Sequence, residues 1–252
     1  MSDARRGGRI RQVAAVVVGL ALGASGMALA QANRAVAVPQ HDQGAMEQMF
    51  RNYLLEHPEV IPEAMAKLEE RRAAEKVSAS RQAIETPFAG AWAGAAKPEV
   101  TLVEFFDYNC GYCRASVPDL DRLLKEDPSL RIVFRELPIL SEQSEVAARV
   151  SLSAAKQGRF MDFHRNMFAG GRPTEAQLTT VRKSSGLDAA AVERDLKAPD
   201  VEREIAANME MARTLGLSGT PSFVVGERVL VGAVGYDELK KAIAEARAAK
   251  AG

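Results

Sequence analysis

The sequence predicts an α/β fold with an inserted helical subdomain, preceded by a separate helical segment. Three observations carry this. Residues 100–107 form an apolar run, followed by a helical pattern over 111–126 and a second apolar run at 130–136, centred on Ile132-Val133-Phe134. From 141 to 215, apolar residues return at helical spacing, and Gly158, Gly170-Gly171, Pro173, Gly186 and Pro199 divide them into about five helices. Strand character then returns at 222–226 and 228–231, ahead of a last helix over 236–248.

At the N-terminus, Arg5, Arg6, Arg9 and Arg11 precede an uncharged stretch over residues 13–29 that ends in Ala28-Leu29-Ala30. A basic lead, an apolar core and a small-residue cleavage site make residues 1–30 a secretory signal peptide. The apolar stretch is also long enough to act as an uncleaved anchor, and in either case the rest of the chain is exported. Gly7, Gly8 and Arg9 stand where a twin-arginine signal would turn apolar, which favours ordinary secretion. The expected location is therefore the periplasm, where disulfides persist. Removing residues 1–30 leaves 29 Lys and Arg against 32 Asp and Glu, a net charge of about −3, and nothing favours a nucleic-acid partner.

Residues 31–45 carry little apolar periodicity and are expected to form a flexible lead, with order beginning near Met46. Met46, Met49, Phe50, Tyr53 and Leu54 recur at helical spacing. His57-Pro58 interrupts them before a second helix over about 62–83. That helix carries Ile61, Met65 and Leu68 on one stripe, then reads Glu69-Glu70-Arg71-Arg72 and is polar nearly all round. It is either a solvated linker or an oligomerisation stalk, so residues 31–85 form one segment and residues 46–83 are the candidate contact between copies of the chain. Residues 86–98, rich in Gly, Ala and Pro, mark the boundary of a second domain over 86–252. There, short strands joined through one helix imply a sheet covered on both faces, and Gly226-Glu227 is a plausible hairpin turn between the last two strands.

Cys110 and Cys113 are the only cysteines, spaced as Cys110-Gly111-Tyr112-Cys113 at the turn between the first strand and its helix. A helix N-terminus offers unpaired N–H groups and partial positive charge, which stabilise a thiolate at Cys110. A thiolate is the species that attacks a disulfide. A zinc site would need further ligands, and His41, His57 and His164 do not stand at finger or ribbon spacing. A purely structural bridge would close so short a loop that little unfolded-chain entropy is removed. Redox chemistry explains the pair better than either.

The segment Val103-Glu104-Phe105-Phe106-Asp107-Tyr108-Asn109-Cys110-Gly111-Tyr112-Cys113, with the distant Gly219-Thr220-Pro221-Ser222-Phe223, resembles the DsbA-like thioredoxin-fold family over residues 87–249. Tyr53-Leu54-Leu55-Glu56-His57-Pro58-Glu59-Val60 is similar to the leading domain of the suppressor-of-copper-sensitivity C (ScsC) proteins. The resemblance implies a thioredoxin fold, Cys110 as attacking thiol, Cys113 as resolving thiol, and a cis Thr220-Pro221 bond beside them. The backbone of Thr220 would then offer an edge to an extended substrate; the plain alternative is an ordinary trans turn. The resemblance makes Glu104 the group that relays protons to Cys113. Inside an apolar strand its carboxylate either has a raised pKa or is paired with a Lys or Arg.

Gly111 and Tyr112 are implied to set the redox poise. Strongly oxidising relatives carry a histidine there, and Thr before the proline is commoner in isomerases, so a less oxidising couple is expected. The implied activity is thiol–disulfide exchange on exported proteins with cysteines, as an isomerase or reductase recycled by a membrane redox partner, in an oligomer with a trimer suggested. The alternatives are a DsbA-like oxidase, a chaperone whose helical cleft binds unfolded chains, and a copper-tolerance protein whose two thiolates hold Cu(I). Otherwise no cofactor is expected. His164, the scattered methionines and the charged runs at 69–72 and 202–204 are read as packing residues, core or interface side chains, and solvated faces.

Overall fold

The structure, a computed structural model, describes residues 40–251. The expected signal peptide and most of the expected flexible lead lie outside the described residues. The chain divides into two compact units, one up to Ala64 and one from Met65 onward.

Helix α1 spans Gln40–Glu56 and helix α2 spans Val60–Glu85. The first begins before Met46, the expected onset of order; only Gly44 weakens the helical run over residues 40–46. Within the first unit Met46, Met49, Phe50, Tyr53, Leu54 and Leu55 are all exposed.

In the second unit, β1 (Trp92–Gly94), β2 (Val100–Phe106), β3 (Leu130–Glu136), β4 (Ser222–Val225) and β5 (Arg228–Val231) form one sheet in the order β1-β3-β2-β4-β5. β2 and β3 run parallel, joined through α3 (Gly111–Glu126), and the other neighbours are antiparallel. Between β3 and β4 lie α4 (Glu142–Lys156), α5 (Phe160–Gly170), α6 (Glu175–Ser184), α7 (Ala189–Asp195) and α8 (Pro199–Leu215); α9 (Tyr236–Ala251) closes the chain. β1 falls in the stretch read only as a boundary. It is short and pairs on one side only, and Ala and Gly give it little strand propensity.

Every residue of β2 is buried, so both faces of the sheet are covered. On one face Leu102, Phe106, Ile132, Phe134 and Phe223 pack with Leu120 and Leu123 of α3 and Phe160 and Phe163 of α5. On the other, Val103, Phe105, Val133 and Val224 pack with Val77 and Ile84 of α2 and Ala212 and Leu215 of α8.

This second layer gives an apolar end to α2, a helix whose sequence reads as polar nearly all round. Val77 and Ile84 lie seven residues apart, on one helical face, and both are buried. The unit boundary accordingly falls inside α2 instead of at residue 86. The end of the helix is fixed by Arg135, a buried residue of β3 whose guanidinium donates to the carbonyls of Ala83, Ile84 and Thr86. These are acceptors that a helix C-terminus leaves unpaired. The same guanidinium meets Glu204 Oε1 at 2.8 Å and Asn208 Oδ1 at 3.1 Å. Glu204, expected on a solvated face, is thus the counterion of a buried arginine.

Candidate active site

Cys110 is the N-cap of α3: its backbone is extended (φ −82°, ψ 117°), and its sulfur accepts the Cys113 N–H at 3.2 Å. The turn before it is closed by Asp107, whose carbonyl accepts from Cys110 N at 3.0 Å and whose carboxylate accepts from Asn109 N at 2.7 Å. Both cysteines are reduced and buried.

Across the sheet lies the loop that leads into β4. The Thr220–Pro221 bond is cis. The loop is tied by Ser222 Oγ donating to Gly219 O at 2.7 Å and Gly232 N donating to Pro221 O at 2.8 Å. Thr220 presents two groups to the dithiol. The Cys110 thiol donates to its carbonyl at 3.2 Å. Its hydroxyl is buried with no hydrogen-bond partner while Cys110 is a thiol, and it favours the thiolate form.

The two sulfurs are driven in opposite directions. Donation from the Cys113 thiol brings the Cys110 pKa down to about 6; burial opposes this, while the Thr220 hydroxyl and the N–H groups of Cys113 and Tyr112 add to it. Burial pushes the Cys113 thiol far up, and its donation to Cys110 and the charge of Glu104 add to that. The site thus holds the Cys110 sulfur toward the thiolate and the Cys113 sulfur toward the thiol.

Glu104, whose charge bears on the Cys113 thiol, lies on β2 opposite Phe134 and Phe223 in register. It is 1% exposed, and neither carboxylate oxygen has a hydrogen-bond partner. The paired alternative is thereby removed. Burial, then the neighbouring Cys110 charge, raises its pKa to about 8. Of the residues implied to tune the couple, Tyr112 acts through its backbone N–H while its side chain is 71% exposed. A Cβ on Gly111 would meet nothing within 4 Å.

Further polar groups stand behind the dithiol that the motif did not single out. The Asp107 carboxylate also accepts from Ile139 N and Leu140 N, both at 2.9 Å. Glu136 is buried at the end of β3, with burial raising its pKa well above the usual range. Tyr108 joins Ser151 at 3.0 Å and His164 Nδ1 at 3.2 Å. A charged or hydroxyl group inside an apolar run is the signal that singles out Glu104, and Arg135 and Glu136 carry the same signal at the end of β3. His164 sits among Phe106, Phe134, Phe160 and Phe168, where burial holds its pKa down at about 3. Among the described residues, no group of three or more His, Cys, Asp or Glu could hold a metal ion, and no helix is long and apolar enough to cross a membrane.

Fold and site together define a thioredoxin-fold protein of the thiol–disulfide oxidoreductase type. The chain belongs to the family of DSBA-like thioredoxin domains, whose model matches residues 101–244; that of the copper resistance protein ScsC N-terminal domain matches residues 42–75. Among solved structures it is similar to a thioredoxin-like oxidoreductase from Silicibacter pomeroyi DSS-3, at 40% identity and TM-score 0.62, covering 65% of this chain and 95% of that one. It is also similar to a linker-deletion mutant of ScsC from Proteus mirabilis, at 27% identity and TM-score 0.67, covering 85% and 98%. Na(+)/H(+) antiporter NhaA 3 from Salinispora tropica is 30% identical over 158 residues, which are 61% of this chain and 24% of the antiporter. The chain thus spans about a quarter of the length of the curated relatives it first matches.

Proposed function

We propose that this protein is a periplasmic disulfide isomerase or reductase of exported proteins, working through Cys110 and Cys113. The observation that carries this is the asymmetry of the dithiol: a capped, acidified Cys110 in front of a buried Cys113 that faces an unpartnered Glu104. In the proposed cycle the Cys110 thiolate attacks one sulfur of a substrate disulfide. The substrate S–S bond breaks, a mixed disulfide forms, and the other substrate sulfur leaves as a thiolate.

The mixed disulfide has two exits. In isomerisation a second substrate thiolate attacks its own half of the mixed disulfide, Cys110 leaves as thiolate, and no net electrons move. In reduction Cys113 passes its proton to Glu104 and attacks Cys110, the substrate leaves fully reduced, and the protein carries the new disulfide. A membrane redox partner that reduces this disulfide would restore the dithiol. Thr220 and Pro221 would present the backbone edge on which the substrate lies.

Reactivation of scrambled ribonuclease, beside oxidative refolding of reduced ribonuclease and a Cys110→Ala control, tests the proposal. Activity on the scrambled substrate that is lost in the control is expected. Activity on the reduced substrate alone would make the protein a DsbA-like oxidase instead. The exposed Met46, Phe50 and Leu54 support assembly through residues 46–83, with a trimer expected. Light scattering on the mature chain and on a Met46→Ser, Phe50→Ser, Leu54→Ser variant, which leaves the buried end of α2 intact, tests this, and equal mass per chain in both would refute it. The match of residues 42–75 to a copper resistance domain favours a second reading, Cu(I) held by the two thiolates. Cu(I) titration of the reduced protein against a Cys110→Ser, Cys113→Ser double variant decides it, and identical isotherms would end the idea.

A further inference from the structure

Asp107 is fully used by the fold around the dithiol, yet it takes no part in the exchange steps. Its side chain is 1% exposed and receives backbone N–H groups from two separate segments. Oδ1 accepts from Asn109, which precedes Cys110, at 2.7 Å, and Oδ2 accepts from Ile139 and Leu140, both at 2.9 Å. Asn109 Nδ2 reaches Ser141 Oγ at 3.4 Å, a second tie between the same segments.

The second segment, residues 137–141, is built unusually. The N–H groups of Ile139, which it shares with Leu137 O at 2.9 Å, and of Leu140 are held by a buried carboxylate, while the two residues are 43% and 49% exposed. Those side chains add little to the core. An exposed loop could satisfy its N–H groups with water, and burying a carboxylate to hold them is costly. Such an arrangement serves the position of the edge more than the stability of the domain.

We propose that Asp107 is a positioning residue for the attack on polypeptide disulfides: it fastens the Cys110 turn to the Ile139–Leu140 edge, so that sulfur and edge meet the substrate chain as one unit. This rests on the thiol–disulfide exchange reading above. A disulfide attached to a polypeptide touches both parts, whereas a small disulfide touches only the sulfur. Loosening the tie therefore weakens capture of the former and spares the latter. In Asp107→Asn one oxygen is replaced by a donor, so only one of the two segments can still be held.

The test compares reduced wild type and Asp107→Asn on a small aromatic disulfide and on a disulfide-linked peptide with apolar flanks. We expect the peptide rate to fall about tenfold, a fraction of what angstrom-scale misplacement costs, with the small-disulfide rate within about twofold. Ile139→Ser, Leu140→Ser should show the same split, and adding Asp107→Asn to it should cost nothing more. Equal losses on both substrates, or additive losses, would overturn the proposal. Amide exchange on the unaltered protein needs no variant: Ile139 and Leu140 N–H should be protected about a hundredfold or more, and free-loop rates would equally overturn it. Wild type that fails to react with the small disulfide through Cys110 would instead sink the exchange reading itself.

Discussion

Replacing Glu104 by Gln should stabilise the protein and impair it at once. In the folded, reduced protein the carboxyl titrates near 8, against 4.5 when free, because burial and the Cys110 charge disfavour its ionised form. Below pH 4.5 it is protonated folded and unfolded alike and contributes no difference. As pH rises through 4.5 the unfolded chain releases the proton and the folded one keeps it, so stability is lost progressively until pH 8. Each pH unit in that window is worth about 1.4 kcal/mol, giving about 3 kcal/mol at pH 7 and roughly 5 kcal/mol above pH 8.

Gln occupies the same space and cannot ionise. It should be neutral in effect at pH 4 and raise the melting temperature at pH 7 by roughly 6–12 °C, taking about 2–4 °C per kcal/mol for a domain of this size. Oxidising the dithiol removes the Cys110 charge and should shrink the gain. Over the same pH range, Cys113-dependent release of a mixed disulfide should slow by roughly 10²-fold, the low end for a positioned base. Thermal melts of wild type and variant from pH 4 to 9, reduced and oxidised, check the stability half. A gain independent of pH, or a loss at pH 7, would refute the assignment of an unpaired, proton-holding carboxyl.

Thr220→Val removes the hydroxyl that favours the Cys110 thiolate. A hydrogen bond to a charged group is worth about 1.5 kcal/mol, so the thiolate midpoint followed by ultraviolet absorbance should rise from near 6 by about one pH unit; an unmoved midpoint would deny the hydroxyl its role. Arg135→Met strips the carbonyls at the end of α2 and leaves Glu204 without its partner, which should cost about 3–5 kcal/mol in urea denaturation; a change under about 1 kcal/mol would show the pair to be dispensable. His164, held near 3 against 6.5, weakens the fold as pH falls below 6.5, because only the unfolded chain takes up the proton. His164→Phe should therefore gain about 3 kcal/mol at pH 4 and nothing at pH 8, and the pH profile of disulfide exchange should stay the same. A lost inflection in that profile would make the histidine a participant.

What the sequence made legible is what repeats with a period or sits in a spaced motif. β2, α3 and β3 were readable because the apolar runs and the dithiol between them leave one arrangement open. Trp92–Gly94 was not, because three residues of an edge strand carry no periodicity and owe their conformation to β3. α2 misled for a related reason: its burial rests on Val77 and Ile84 at its end, a pair hidden among charged residues. Arg135 and Glu204 are 69 residues apart, and nothing local distinguishes a charge that meets a partner from one that meets water. Asp107 stood in the quoted motif, but its partners at 139 and 140 exist only once β3 lies beside β2.

Glu104 and Asp107 lie three residues apart, equally buried at 1% exposure, and the fold resolves the same electrostatic problem in opposite ways. Asp107 receives N–H groups on both oxygens, which substitute for water and hold the charge where it is. A carboxylate so held is suited to fixing geometry. Glu104 receives none, so its proton affinity is left high, and its charge bears on the Cys113 thiol. Any donor supplied to Glu104, for instance a lysine in place of Phe134 opposite it, would stabilise its charge and lower its affinity for that proton. In the proposed cycle the unpartnered state of Glu104 would equip it to take the proton of the resolving thiol, and the stability it forfeits at neutral pH would be the measure of that role.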